Sequence, residues 1–393
     1  MRTGRYVTYG AIRCFDPRPL PPDPPIVLDG ELANLLSEAD RALARLDGAT
    51  LTLPDPDLFV YAFMRQEAVL SSQIEGTQAS LEDLLEFESG VEPDLAANDV
   101  ADVVDYLDAM RWALKEIETA PVTLNLIRET HRRLLQHGRG AEWAPGEFRR
   151  NQNWIGPPGC TLAEATFVPP AAPLMDRALG ELERFIHSEA PLPPLLRFGL
   201  VHAQFETIHP FWDGNGRLGR MLVTLLLCAD GVLHRPVLYL SLYFKAHRAE
   251  YYRRLQATRD DGDLEGWLKF FLRGVRAISR SALETARRIN ALRDDLARRA
   301  PQISRSNKAH LAIATMYTRP YVTIASLGRA IDATFPTTSK LIGDLERAGI
   351  VAEITGGRRD RIFAFRPYLD TLHDAIDDLG GVIGRSDHPV TGG

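Results

Sequence analysis

Apolar residues recur at three- and four-residue spacing along most of the chain, the period of helices that bury one face. The spacing predicts helices over 31–46, 57–74, 99–118 and 124–135, and again over 173–187, 194–207, 216–229, 244–257 and 263–299. Residues 216–229 are apolar on nearly every side, which places that helix in the middle of a bundle. Two stretches break the period. Prolines crowd residues 16–25, an extended lead segment, and residues 146–170 mix Gly-Pro-Pro-Gly with short apolar runs, the pattern of a hairpin or loop projecting from a helical body. From residue 306 the pattern restarts with helices over 307–318, 324–331 and 337–348, then two strand-like runs around Gly356-Gly357, the order of a winged helix. The expected fold is mainly α: a helical core with a small β-hairpin, plus a C-terminal α+β winged helix. The expected parts are an N-terminal helical region (1–115), a core (116–275), a linking helix (276–300), a winged helix-turn-helix (301–370) and a tail (371–393), with a boundary near Ala300-Pro301.

The length of 393 residues exceeds what one hydrophobic core serves, in keeping with several parts. Hydrophobic residues at 45% and charged residues at 25% exclude disordered, collagen-like and disulfide-stapled classes. Cys14, Cys160 and Cys228 are too few and too scattered for a disulfide framework or a CxxC metal site. With prolines interrupting the N-terminus and no run of roughly 18 apolar residues, a cytoplasmic protein with no membrane contact is expected. Net charge is −6, yet residues 301–370 hold ten Lys/Arg against six Asp/Glu. That surplus points to DNA as a partner. Thr337, Thr338, Ser339 and Lys340 would stand at the exposed start of a recognition helix, with Arg358, Arg359 and Arg361 at the hairpin tip. A protein-docking module is the alternative.

The chemistry concentrates in residues 209–220, His-Pro-Phe-Trp-Asp-Gly-Asn-Gly-Arg-Leu-Gly-Arg. Gly214, Asn215 and Gly216 open an apolar helix, so unpaired backbone N–H groups and the positive end of the helix dipole can face an anion. Arg217 and Arg220, three apart, can both reach one polyphosphate. Asp213 suits Mg²⁺ bridging phosphates, and His209 is a histidine of near-neutral pKa placed to take a proton from an attacking hydroxyl. Singly these parts are common, since a histidine before a helix is more often structural and Gly-Asn-Gly is often a turn. His202, Glu206 and His209 lack the HExxH order of a zinc site, and His202 and Glu206 are more simply helix residues supporting the loop.

Residues 209–220 match in full the HPFxDGNGRxxR signature and so resemble the Fic family, whose members mostly move AMP from ATP to Ser, Thr or Tyr hydroxyls of proteins. The resemblance implies His209 as general base, Asp213 as Mg²⁺ ligand, Gly214, Asn215 and Gly216 as anion cradle, and Arg217 and Arg220 on the distal phosphates. Gly146-Glu147-Phe148-Arg149, Asn153-Trp154-Ile155-Gly156 and Thr166-Phe167-Val168-Pro169-Pro170 look like the family's flap, in which Ile155, Thr166, Phe167 and Val168 would clamp the target's backbone as an added strand. Tyr252 looks like a nucleotide contact, and Arg259 lies where some relatives carry an asparagine near the adenine.

Ser71-Ser72-Gln73-Ile74-Glu75-Gly76 ends a predicted helix, and a carboxylate at a helix C-terminus faces the negative end of the dipole, so Glu75 needs a cation. The bland alternative is a solvated surface glutamate. Ser71, Glu75 and Gly76 match (S/T)xxxE(G/N), the inhibitory motif of Fic proteins that carry their own brake, which implies that Glu75 pairs with Arg220 and obstructs the γ-phosphate. The resemblance thus implies an ATP-using, self-restrained protein adenylyltransferase with a protein substrate, self-modification among its reactions, and a homodimer. Alternatives are removal of AMP by the same site, or an ATP-sensing, DNA-binding transcription regulator.

Overall fold

The computed structural model describes residues 1–51, 56–88, 97–157, 159–304, 308–355 and 361–374. The chain opens with an antiparallel hairpin, β1 (Gly4–Tyr9) and β2 (Ile12–Pro17), paired from Gly4↔Pro17 to Tyr9↔Ile12. Helices follow: α1 (Gly30–Leu51), α2 (Pro56–Ile74), α3 (Leu81–Glu88), α4 (Ala97–Glu116) and α5 (Leu124–Leu134). After the loop 146–170 come α6 (Ala172–Ile186), α7 (Pro194–Ile208), α8 (Asn215–Ala229), α9 (Ser241–Ala246), α10 (Arg248–Asp260) and α11 (Leu264–Ile303). The C-terminal part is α12 (Ala309–Thr318), β3 (Tyr321–Thr323), α13 (Ile324–Ala330), α14 (Phe335–Arg347), β4 (Ala352–Glu353) and β5 (Ile362–Ala364), with strand order β3-β5-β4, antiparallel throughout.

The chain divides into two compact units. One holds residues 1–47, 64–79 and 96–279; the other holds 48–63, 80–95 and 280–393. In the first, α8 is buried from Arg217 to Leu227 and packs against α7, α4 and α5, the central position its all-round apolar pattern predicts. Long side chains fill this core, among them Phe198, Tyr239, Tyr251 and Trp267. In the second, α14 buries Thr338, Leu341, Ile342 and Leu345, one face at three- and four-residue spacing, against α13.

Several expectations are corrected. A hairpin, β1–β2, runs into the proline-rich stretch, of which only an extended lead is expected; Tyr6, Val7, Thr8 and Tyr9, all of high strand propensity, with Gly10 turning at φ 61°, build it. The predicted 244–257 helix is two, broken at His247. The projecting loop is no ladder: its β character is the single bridge Ile155↔Phe167. Thr338 is fully buried, its hydroxyl donating to the Thr334 carbonyl at 3.0 Å, and so does not belong to the exposed start of α14; Thr337 and Lys340 do. Arg361 lies with its guanidinium 4.9 Å from the Phe363 ring, while Arg358 and Arg359 fall outside the described residues. No helix among the described residues is long and apolar enough to cross a membrane.

Candidate active site

The α7–α8 junction carries the loop, and two buried side chains from 146–170 fix its shape. His209 caps α7 in the left-handed region (φ 48°), a strained conformation for a side chain with a Cβ, which persists only where neighbours enforce it. Arg149, fully buried, donates from Nε to the His209 carbonyl (3.0 Å) and from Nη2 to the Pro170 carbonyl (2.6 Å). Asn153 Nδ2 donates to the carbonyls of His209 (3.3 Å) and Phe211 (2.9 Å). Asn215 closes the turn: its Oδ1 accepts the Phe211 N–H and its Nδ2 donates to the Phe211 carbonyl, both at 2.9 Å. Its side chain is therefore spent on the loop, which leaves its backbone and that of Gly216 to face an anion, while the Gly214 N–H donates to Asp213 Oδ1 at 2.6 Å. His131, from α5, stacks on Phe211 at 3.6 Å; its Nδ1 accepts the Gly146 N–H and its Nε2–H donates to the Asp213 carbonyl, both at 2.9 Å. Burial pushes this imidazole down to about 4, so it stays neutral and holds both bonds.

His209 Nδ1 is buried with no partner at hydrogen-bond geometry among the described residues, and the nearby Glu206 carbonyl favours a proton on the ring. Burial, then the Arg259 and Arg149 cations, push it down to about 3, which corrects the near-neutral value expected from sequence. The ring is thus a neutral base. A triphosphate arriving beside it brings negative charge, which favours the imidazolium and raises its proton affinity again. His202 is structural: fully buried, it joins the Gly219 carbonyl to the Tyr251 hydroxyl, each at 2.9 Å. Glu206 packs near Arg220, with burial raising its carboxyl to about 7.

The two arginines of α8 are both buried and both face carboxylates. Arg217 Nη1 lies 3.3 Å from Asp102, and its Nη2 is 3.6 Å from Asp213. Arg220 is held by the end of α2: Nε donates to Ser71 Oγ (2.9 Å), and Nη2 donates to the Ser71 carbonyl (2.9 Å) and to Glu75 Oε1 (2.7 Å). Burial opposes the Arg220 charge, but the Glu75 carboxylate beside it holds its proton affinity above the ordinary value. The same Glu75 oxygen sits against Gly216, where any Cβ would collide with it. A carboxylate therefore occupies the anion position at the start of α8. Gly76, at φ 99°, lets the chain turn away after Glu75, and Arg248 Nε donates to the Ile74 carbonyl at 3.3 Å. Thr77, next in line, donates its hydroxyl to Asp102 at 2.9 Å.

Tyr252 is 39% exposed beside Arg248, whose guanidinium lies 5.2 Å from its ring. Arg259 is not at an open base site: it is buried, its Nη2 donating to the Glu206 carbonyl at 3.1 Å and its guanidinium 4.0 Å from the Phe167 ring. Phe167 is itself buried and spends its N–H and carbonyl on Ile155 (3.0 and 2.8 Å), so neither its ring nor its backbone is open to a target. Ile155 is half-buried, and Thr166 is exposed.

The α2 segment carrying Ser71 and Glu75 is anchored further back by Glu67. This buried carboxylate accepts the Ser241 N–H (3.0 Å), the Ser241 hydroxyl and the Tyr106 hydroxyl (3.3 Å), and burial pushes it up to about 7. In the unfolded chain it titrates near 4.5, so between pH 4.5 and 7 the folded protein keeps a proton that the unfolded one has lost, and stability falls as pH rises. Glu67→Gln keeps an acceptor without the charge. Its stability relative to the parent is expected to rise by on the order of 3 kcal/mol from pH 4.5 to pH 8. Urea unfolding at the two pH values checks this, and a flat difference would contradict it.

The family comparisons fall on this region. Residues 33–115 match the Fic/DOC family N-terminal model, and residues 121–227 match the Fic/DOC family model. Proteins named protein adenylyltransferase Fic from Drosophila sechellia and Drosophila melanogaster are each 33% identical over 156 residues, 39% of this chain. The match spans 28% of the length of those relatives. Among solved structures, a Fic family protein from Desulfovibrio desulfuricans G20 superposes with a TM-score of 0.58 at 18% identity, covering 87% of this chain and 97% of that one. A Fic domain containing signaling protein from Bacteroides thetaiotaomicron gives 0.50 at 18%, covering 67% and 97%. In succession, residues 33–115 and 121–227 thus resemble the N-terminal region and the domain of the Fic/DOC family.

Proposed function

We propose that this chain transfers AMP from ATP to a Ser, Thr or Tyr hydroxyl of a protein, itself included, and that Glu75 restrains the reaction. The observation that carries the proposal is the Glu75 carboxylate lodged between Gly216 and Arg220, because it marks a built anion site at the start of α8, on the loop that His209 opens with Nδ1 unpaired. In the reaction His209 takes the proton of the acceptor hydroxyl, the oxygen attacks the α-phosphorus, and the bond to the β-phosphate oxygen breaks to release pyrophosphate. The product is a protein phosphodiester to AMP. The start of α8 and the guanidinium groups of Arg217 and Arg220 hold the phosphates and neutralise the charge that builds there. Tyr252 borders the nucleotide.

Asp213 fits Mg²⁺. Its side chain is 46% exposed, Oδ1 accepts the Gly214 N–H at 2.6 Å, Arg217 Nη2 stands 3.6 Å from Oδ2, and Gly140 leaves open the space beside that oxygen that a Cβ would fill at 2.7 Å. One carboxylate with phosphate oxygens and water is the usual shell for this ion, which neutralises phosphate charge when bound.

The competing class is an ATP-sensing regulator, in which the site binds nucleotide without chemistry. Label from α-³²P-ATP, and none from γ-³²P-ATP, is expected on the Glu75→Gly chain and on proteins mixed with it. Label from the γ position alone would mean phosphate transfer, and none from either would favour the sensor. For the C-terminal unit, the order α12, β3, α13, α14, β4, β5 supports the winged-helix reading, and exposed Thr337 and Lys340 with half-buried Ser339 are the α14 residues a duplex would meet first.

A further inference from the structure

The N-terminal hairpin is fixed to the core along its length. Gln204 Nε2 donates to the Arg18 carbonyl (2.9 Å), the Tyr6 hydroxyl donates to Asp260 (3.0 Å), Arg2 Nε donates to the Gly262 carbonyl (3.1 Å), and Arg177 pairs with Asp16. Phe15 is fully buried, its ring 5.9 Å from Phe167. The backbone joins too: the Phe15 N–H donates to the Val168 carbonyl at 2.9 Å. In extended chain, successive residues turn their backbone groups to opposite edges. Phe167 faces Ile155, so Thr166 and Val168 face the other edge, and there β2 already holds the Val168 carbonyl. The backbone N–H and carbonyl of exposed Thr166 have no partner among the described residues.

Between hairpin and flap runs an open groove lined by Tyr6, Ile12, Arg13, Ala163, Thr166 and Val168. Arg13 is its exposed cation: the guanidinium lies 5.0 Å from the Tyr6 ring and meets no carboxylate among the described residues. The groove's carboxylate, Asp260, is spent on the Tyr6 hydroxyl and on Gln256 Nε2 at 2.9 Å. The groove adjoins the reaction site, since Phe167 packs on Arg259, while the other leg of the flap holds the His209 carbonyl through Arg149 and Asn153.

We infer that this groove seats an extended segment of the protein substrate that places an acidic residue against Arg13, with the N-terminal hairpin as its second wall. The inference rests on the AMP-transfer proposal, which supplies the reason for a polypeptide to lie there. Because β2 occupies the edge at Val168, the incoming segment pairs by backbone at Thr166 alone. A pairing that short gives little register, so the side chain facing Arg13 decides which sequences are accepted.

The test uses full-length His209→Ala protein, fluorescently labelled, on an array of short peptides centred on Ser, Thr or Tyr with acidic, basic or neutral flanks. Acidic flanks are expected to be retained about tenfold better than basic ones, and Arg13→Glu is expected to reverse that order. Methylating the peptide backbone nitrogens of a retained sequence should weaken retention. Identical selection with and without Arg13→Glu, or no retention at all, overturns the inference. The same array treated with Glu75→Gly protein and α-³²P-ATP separates the two claims. Retention governed by position 13 without label contradicts the transfer chemistry, whereas label indifferent to position 13 contradicts the groove.

Discussion

Replacing Glu75 with glycine is expected to raise AMP incorporation into protein roughly ten- to a hundredfold. Glu75 Oε1 is 2.7 Å from Arg220 Nη2 and rests on Gly216, so the group that should grip the distal phosphate already grips a carboxylate. A hydrogen bond between charged groups of this kind is worth about 1.5–3 kcal/mol, and each 1.36 kcal/mol is a factor of ten, which sets the expected gain. Removing the carboxylate leaves Arg220 bound to Ser71, and therefore still positioned at the start of α8. Gly76 already carries the turn after α2, so the substitution does not disturb the helix end. Incorporation of α-³²P label, compared between parent and variant at equal ATP, measures the gain. Equal or lower incorporation would show that the pair is structural and not a restraint.

His209→Ala in the Glu75→Gly background is expected to lower that incorporation by about 10²- to 10⁴-fold, the usual contribution of a positioned general base. ATP affinity should hardly change, because the phosphate contacts proposed here come from Arg217, Arg220 and the α8 backbone, and because the loop is held by the carbonyl of residue 209, not by its ring. Titration calorimetry with ATP alongside the label assay separates the two quantities. A parallel loss of binding and transfer would make His209 a binding residue, and undiminished transfer would remove it from the chemistry.

How far the sequence speaks depends on the range of the interaction. The apolar pattern of 216–229 is local and correctly places α8 at the centre of its unit, and the glycines and arginines at its start announce an anion site by spacing alone. The pairing of Arg220 with Ser71 and Glu75 joins residues nearly 150 apart in sequence; the dipole at the end of α2 says that Glu75 needs a cation but not which one. Arg149 and Asn153 stand within recognisable motifs, yet their task, holding the carbonyl of a left-handed histidine, depends on where a loop folds back. The His209 pKa is hidden for a similar reason, since burial and the Arg259 and Arg149 cations arrive from other elements. Two further features are local. Thr338, Leu341 and Leu345 share one helical face, which marks Thr338 as inward, and the strand-forming run Tyr6 to Tyr9 ends at a glycine, which marks a hairpin despite the prolines that follow.

The central claim is that an imidazole and two guanidinium groups surround one triphosphate at the start of α8. A crystal structure of the Glu75→Gly chain with Mg²⁺ and a non-hydrolysable ATP analogue tests it most directly. Phosphates are expected on the N–H groups of Asn215 and Gly216 and on Arg217 and Arg220, with the α-phosphorus exposed on the side of His209. A triphosphate bound elsewhere, or one whose α-phosphorus faces away from His209, would contradict it.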